Sequence, residues 1–483
     1  MEPSESGANG GGTGSDFQWD VVVAGAGFSG LVAANVVAAH GLKVLVLEAG
    51  SGPGGCAAIS AGIVWAPVSS EELAAYVPDG DAALQIAYCR YFEEAISWLR
   101  SRGLPLGETE ALGSLGRGSV MTVGRSGDRR QFMALMASGA EAQGADIRYQ
   151  SPLNGAVARR DGYVAEIGGP QPLAVRSRAL LFATGGFQGS PKLLDRYVGA
   201  GAGDSLFLRS VPECTGAGLT VAVSLGAATS RNMHHIYGHT MPDAAIAAED
   251  MQPLTAYLAV HSVILNREGV RFVDESEGRL EEVTLESGWR QPGGCYFLIF
   301  DSKAYRDHGV DTGISPALPK IDRLLRWREI GAAVIQGDSL EALVETLGER
   351  EQVNPGHALR TLVSYNKACL NQAAGALIPP RNRNATPLLE PPFFAVRARG
   401  GVTATCGGIR VDASGHVLGN SGNLLPGLYA AGVDAGGVFG KTYGGFLGWS
   451  LVSGYLAGHS ILRDSRSEPQ PFQPFQPPTG AGR

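Results

Sequence analysis

Six cysteines are spread over 483 residues, at positions 56, 89, 214, 295, 369 and 406, and no two of them form a C-x-x-C pair. That scatter leads to the expectation of no disulfide framework, no cysteine-rich metal site and no iron–sulfur cluster, and there is no C-x-x-C-H haem attachment motif. It fits a reducing compartment, and a cytoplasmic location is expected. No apolar run is long enough to cross a bilayer, so no membrane span is expected. An excess of cations is missing too: the net charge is −7, which argues against a nucleic-acid partner. His235 and His239 stand at i and i+4 but no third ligand is evident, so no metal site is expected. The opening MEPSESGANGGGTGSD has neither the basic nor the apolar block of a targeting peptide. Residues 1–17 read as a disordered tail, as does the proline-rich stretch 466–483.

What the chain has in plenty is glycine, 69 residues of it, much of it in a few clusters where backbone must approach something closely. The first cluster organises the rest. Asp20–Ala24 is a short β-branched apolar run, the pattern of a buried parallel strand. It runs into Gly25-Ala26-Gly27-Phe28-Ser29-Gly30, a full G-x-G-x-x-G. Gly25 permits the tight turn, Gly27 lets backbone approach a pyrophosphate, and Gly30 lets helix pack on strand. A helix through Val37 follows, its N-terminus offering unpaired N–H groups and a positive dipole end. A second strand, 43–47, ends at Glu48, whose carboxylate can bond a ribose hydroxyl. Strand, glycines, helix, strand and acid in register make a dinucleotide-binding unit.

Further glycine segments follow in order. Residues 50–62, GSGPGGCAAISAG, suit backbone wrapped round a cofactor. Residues 81–102 have the spacing of a helix. Short strands between 145 and 182 end in Ala183-Thr184-Gly185-Gly186, a second glycine turn. From about 231 the texture changes to mixed strand and helix, including a buried strand at 295–301 and mostly helix over 322–372. The strand 426–431 enters a third glycine turn at Gly432, and a last helix begins near Gly448.

The pieces GAGFSG…LEAG, GGCAAISAG, ATGGF, NREGVRFVDE, TCGGIRVD, GLYAAG and GYLAG, in this order, resemble the flavoprotein family of fumarate reductases, succinate dehydrogenase subunits and 3-ketosteroid dehydrogenases. The resemblance implies an α/β fold: a Rossmann-like FAD-binding domain of the two-dinucleotide type, interrupted by an α+β capping domain. The expected boundaries are 18–238 and 389–465 for the FAD-binding domain and 239–388 for the cap. It implies that Gly25, Gly27 and Gly30 hold the pyrophosphate and Glu48 the adenosine ribose. Ser29, Ala49, Gly55, Ser60, Ala61, Gly62, Ala156, Ala183, Thr184, Gly185, Gly432, Asp434, Gly448, Ser450 and Leu451 complete the implied cofactor contacts. Succinate-oxidising members carry a flavin-linking His in the glycine loop. This loop has none, so non-covalent FAD is expected.

The reaction the resemblance implies moves a hydride between flavin N5 and one carbon of a C–C bond next to a carbonyl, while a side chain moves a proton at the other carbon. Arg279, four residues after Glu275, occupies the proton-donor place of fumarate reductases. Tyr443, in Gly440-Lys441-Thr442-Tyr443, matches the tyrosine with which ketosteroid dehydrogenases polarise the substrate ketone. The charged residues that grip fumarate's carboxylates are replaced by Tyr443 and by Thr403-Ala404. The expected substrate contacts are His235, Tyr237, His239, Tyr257 and Gly445. A bulky, ketosteroid-like ketone is therefore expected as the small-molecule substrate, alongside an electron donor or acceptor. The alternatives are an enoate reductase that uses a cation such as Lys441, and a non-catalytic flavoprotein redox subunit.

Overall fold

The computed structural model describes residues 18–107, 109–111, 117–120, 129–276, 282–311 and 320–466. The expected tails, except Arg466, and Arg279 lie outside the described residues.

The expected βαβ unit is present. Strand β1 (Trp19–Ala24) leads into helix α1 (Phe28–Ala38), which returns to strand β2 (Val44–Leu47). β1 pairs in parallel with β2 on one side and with the strand Leu173–Phe182 on the other, so that Val22 lies between Leu45 and Leu180. The strand Asp146–Arg148 extends the sheet beyond β2, and Leu424–Ala430 extends it beyond Leu173–Phe182, both in parallel. Antiparallel strands complete its eight: His416–Leu418 at one edge, and the hairpin Leu153–Arg159/Gly162–Ile167 laid on Leu173–Phe182. Val21, Val22 and Val23 are at most 1% exposed, each contributing about 1.5–3 kcal/mol by leaving water. They read as a continuous apolar run because a parallel sheet is covered on both faces.

Every residue of α1 is buried. It packs against the C-terminal helix Phe446–Ser465 and the helix Arg129–Glu141. An all-round apolar helix must be covered in this way. Asn35, its one strongly polar member, donates to the carbonyls of Leu31 and Met136, both at 2.9 Å. The helix expected at 81–102 runs Ala82–Ser101, and Asp81 caps it by accepting from the N–H groups of Ala83 and Leu84.

A second sheet is built round the thirteen-residue strand Phe393–Thr405. Tyr296–Asp301, Ile236–Pro242 and Val334–Gly337 pair with it antiparallel, Phe207–Leu208 pairs parallel, and Val263–Leu265 adds on beyond Tyr296–Asp301. All of Tyr296–Asp301 is buried because both faces of this sheet are covered. Phe297 and Ile299 enter one apolar cluster and Tyr296, Leu298 and Phe300 the other, as strand alternation requires. Residues 323–370 form three helices, Arg323–Glu329, Leu340–Glu351 and Pro355–Leu370.

The Asn266–Glu275 stretch is held by a buried ion cluster. Glu275 accepts from Arg271 (2.6 and 2.9 Å), from Arg381 (3.0 Å) and from the N–H of Ile264 (3.0 Å). Losing one member of such a cluster strands a buried charge, at a cost of about 3–5 kcal/mol.

Candidate functional site

One cavity is lined by residues of both large sheets and of the loops that follow their strands. Its first wall is the turn after β1. Gly25 has φ +108°, and a Cβ there would stand 2.2 Å from the carbonyl oxygen of Ala183, so the first and second glycine turns touch through bare backbone. A Cβ on Gly30 would stand 2.0 Å from the carbonyl oxygen of Gly25, which is why the helix can begin so close to the strand. Gly27 differs: no atom lies within 4 Å of where its Cβ would be, and it lines the cavity. As N-cap of α1 it offers no side-chain cap. Open space beside uncapped helix N–H groups fits an anionic diphosphate.

Glu48 and Ala49 line the same cavity. Glu48 is buried, and its two oxygens accept from the N–H groups of Ala26 (2.8 Å) and Gly50 (2.7 Å). Burial, with help from nearby Glu213, holds its carboxyl above the usual range against the pull of those bonds.

Of the other expected cofactor contacts, Ser29, Gly55, Ser60, Ala61, Ala183, Thr184, Gly185 and Ser450 also line the cavity. Gly30, Gly62, Ala156, Gly432, Asp434, Gly448 and Leu451 do not, among the described residues. Gly62 donates its N–H to Ser60 Oγ, at 3.0 Å. Ala156 sits in the hairpin strand Leu153–Arg159, and Leu451 is wholly buried in the C-terminal helix. Gly432 and Gly448 give the helices room: added Cβ atoms would meet Ser29 Oγ at 2.4 Å and the carbonyl of Trp65 at 2.2 Å. Asp434 is buried, and its carboxylate accepts from the Thr184 N–H (2.6 Å), the Thr184 hydroxyl (2.8 Å) and the Gly186 N–H (2.9 Å). It clamps the second glycine turn to the third.

Part of the cavity lining is an aromatic cluster. Tyr443 stacks on Tyr237 with centroids 3.7 Å apart and planes 18° from parallel. Trp65 meets Tyr443 edge-on at 5.7 Å, and Phe446 lies 5.7 Å from it. The Tyr237 hydroxyl is 2.9 Å from His239 Nε2, and His239 meets Tyr257 at 6.1 Å. Tyr237, His239, Tyr257 and Tyr443 all line the cavity. His235 and Gly445 are not among its lining residues. His235 precedes the strand Ile236–Pro242 and lies between Asp79 (3.4 Å) and Glu286 (3.3 Å). Gly445 starts the C-terminal helix, and its carbonyl accepts from Tyr88 at 3.0 Å.

Arg209 is a lining residue that periodicity and motif alone do not reveal. It is 9% exposed, and donates to the hydroxyls of Thr403 (3.0 Å) and Thr255 (2.9 Å). Among the described residues its Nε has no hydrogen-bond partner and no carboxylate pairs with it. The only signal in the sequence is one charged residue inside the otherwise uncharged FLRSVP.

The fold and the glycine-lined cleft define a dinucleotide-binding flavoprotein. The model of the FAD-binding-domain family matches residues 20–445, and the chain belongs to that family. FAD is thus the cofactor that the uncapped turn at Gly27 fits. Among curated relatives, 3-oxosteroid 1-dehydrogenase of Mycobacterium tuberculosis is 27% identical over 328 residues, 62% of this chain and 55% of that protein. The chain therefore spans little more than half the length of that relative. Fumarate reductase (cytochrome) of Shewanella frigidimarina is 25% identical over 473 residues, 92% of this chain and 77% of that protein. The crystal structure of 3-ketosteroid delta1-dehydrogenase from Sterolibacterium denitrificans shares the fold, with a TM-score of 0.72 and 19% identity over 92% of this chain and 99% of that one. No helix among the described residues is long and apolar enough to cross a membrane.

Proposed function

We propose that this protein is an FAD-dependent oxidoreductase acting on a C–C or C=C bond conjugated to the carbonyl of a bulky ketone. The observation that carries this is the stacked Tyr443–Tyr237 pair in the cavity's aromatic cluster, joined to His239 by a hydrogen bond. Bound FAD, held without a covalent link, supplies the two-electron chemistry. Tyr443 donates from its hydroxyl to the substrate carbonyl oxygen, where negative charge builds during transfer. Its ring is fixed by stacking, so little orientational freedom is lost when the bond forms. Tyr237 and His239 hold the neighbouring polar contacts, while Trp65 and Phe446 exclude water and favour an apolar substrate body. Arg279 is the proposed proton donor on the strength of the sequence.

Arg209 favours a second reading, an enoate reductase. A cation 9% exposed in the cavity wall, bonded among the described residues to two threonine hydroxyls, is suited to pair with a substrate carboxylate.

The test is anaerobic mixing of oxidised and of photoreduced protein with ketosteroids, simple cyclic enones and enoates, followed by flavin absorbance. Bleaching or reoxidation by the ketones supports the first reading. A response confined to carboxylates that is lost in Arg209→Met transfers the proposal to the second. No response to any class sinks both and leaves the non-catalytic flavoprotein.

A further inference from the structure

Two thiols 158 residues apart in sequence meet in the cavity wall: Cys56 Sγ and Cys214 Sγ are 3.5 Å apart. Cys56 lies on the single helical turn Gly55–Ala58 of the glycine loop, half-buried, and Cys214 is buried in the segment five residues beyond Arg209. Polar groups surround the pair. Ser210 Oγ is 2.8 Å from Cys56 Sγ, and Gln188 Nε2 lies 3.0 Å from that hydroxyl and 3.9 Å from the sulfur. Gln188 is in turn oriented by donating to the carbonyl of Gly185, at 2.9 Å.

Buried cysteines are usually inert small hydrophobes. Buried Cys406 fits that description and half-buried Cys89 behaves alike, since partial or full burial pushes both thiols up, Cys89 to about 12. Cys56 is pulled the other way, to about 7, chiefly by the hydrogen bond from the Cys214 thiol and then by Ser210 and Gln188. Cys214 is pushed up, first by that same bond and then by burial. The bond from Cys214 thus favours the thiolate on Cys56 while Cys214 keeps its proton, the arrangement that promotes thiol–disulfide exchange.

We propose that Cys56 and Cys214 are a redox-active dithiol that closes to a disulfide by exchange with a small-molecule disulfide of the glutathione type. The Cys56 thiolate attacks one sulfur of the reagent R–S–S–R. A Cys56–SR bond forms, the reagent's S–S bond breaks, and RS⁻ leaves. The Cys214 proton passes to that leaving thiolate, and Cys214 attacks Cys56 Sγ. The protein disulfide forms, the Cys56–SR bond breaks, and the second RS⁻ takes the proton that Cys56 had given to solvent. The protein is oxidised by two electrons, the reagent is reduced by two, and two RSH are released. The sulfurs must approach by about 1.5 Å to reach bonding distance. The link ties the cofactor loop to the segment that carries Arg209, coupling the redox state of the surroundings to the shape of the cavity wall.

The test equilibrates the full-length, flavin-loaded protein anaerobically in mixtures of oxidised and reduced glutathione. Samples are acid-quenched, alkylated, digested and analysed by peptide mass spectrometry. A cross-linked Cys56–Cys214 peptide should appear in a single two-electron transition, while Cys89 and Cys406 stay alkylated. In Cys214→Ala, Cys56 should accumulate as the glutathione mixed disulfide. Its alkylation midpoint, near pH 7 in the wild type, should move upward. Absence of the cross-linked peptide at every ratio, or glutathione persisting on wild-type Cys56, overturns the proposal. So does a Cys56 midpoint identical in wild type and variant. Should Cys214→Ala fail to fold, the wild-type cross-link and midpoint decide alone.

Discussion

Asp434 offers the sharpest test of how the cavity is held open. Its carboxylate is the acceptor for three donors at once, two from Thr184 and one from Gly186, at 2.6–2.9 Å. Asp434→Ala leaves the buried Gly186 N–H and the two half-buried Thr184 donors without their acceptor. An orphaned buried donor costs about 1–3 kcal/mol, so three set a ceiling of about 9 kcal/mol. Against this stands the relief of no longer burying a carboxylate, whose ionisation burial already opposes. The net expectation is a loss of about 3–5 kcal/mol, a large share of the 5–15 kcal/mol typical of a folded domain. Asp434→Asn keeps the shape, but its amide must present N–H₂ to one of the donors, so about 1–3 kcal/mol is expected. Urea unfolding followed by circular dichroism reads the midpoint, with the slope checked for constancy. Because Thr184 lines the cavity beside the clamp, flavin content after gel filtration should fall with stability. Thr184→Val combined with Asp434→Ala should be strongly non-additive, since both remove the same bond. If Asp434→Ala unfolds within 1 kcal/mol of wild type and keeps a full complement of flavin, the clamp has been misread.

Tyr443→Phe preserves the stack on Tyr237 and removes only the hydroxyl, so hydride transfer measured by stopped flow should slow about a hundredfold with the flavin spectrum unchanged; a wild-type rate would return Tyr443 to a packing role. Glu48→Ala should weaken FAD binding by about 1–3 kcal/mol, read by fluorescence titration of the apoprotein, because the acceptor for Ala26 and Gly50 and the proposed ribose contact go together. Acid precipitation should leave all FAD in the supernatant, since the loop around Cys56 has no histidine to carry it; yellow pellets would show a covalent link. His416 has its pKa raised above 6.5, first by the hydrogen bond to Asp412 and also by Asp464. Its stabilising contribution is complete below pH 6.5 and lost as pH rises through the raised value, so thermal stability should dip over that window. His416→Gln should flatten the dip, which is small because the site is partly exposed.

The sequence by itself determined what depends on neighbours along the chain. Asp20–Ala24 reads as a parallel strand because its valines follow one another, and Gly25, Gly27 and Gly30 occupy the spacing that a turn, a ligand and a helix crossing each demand. The helix at 82–101 and the buried strand at 296–301 follow from local periodicity and continuous apolarity. Tyr237 and His239 stood out in the sequence through the histidine cluster around them and Tyr443 through its motif, and all three line the cavity. What lies far apart in sequence carries no such signal. No local pattern says that Asp434 would spend its carboxylate on Thr184 and Gly186 rather than face the cavity. None says that His235 would fall between Asp79 and Glu286 while His239, four residues on, reaches the site. Arg209 became a site residue only when the long strand carrying Thr403 closed over it, and Cys56 and Cys214 became a pair only across 158 residues. Backbone propensity and apolar spacing act within a few residues, whereas the pairing of buried polar groups is settled when the two sheets pack and each donor must find an acceptor.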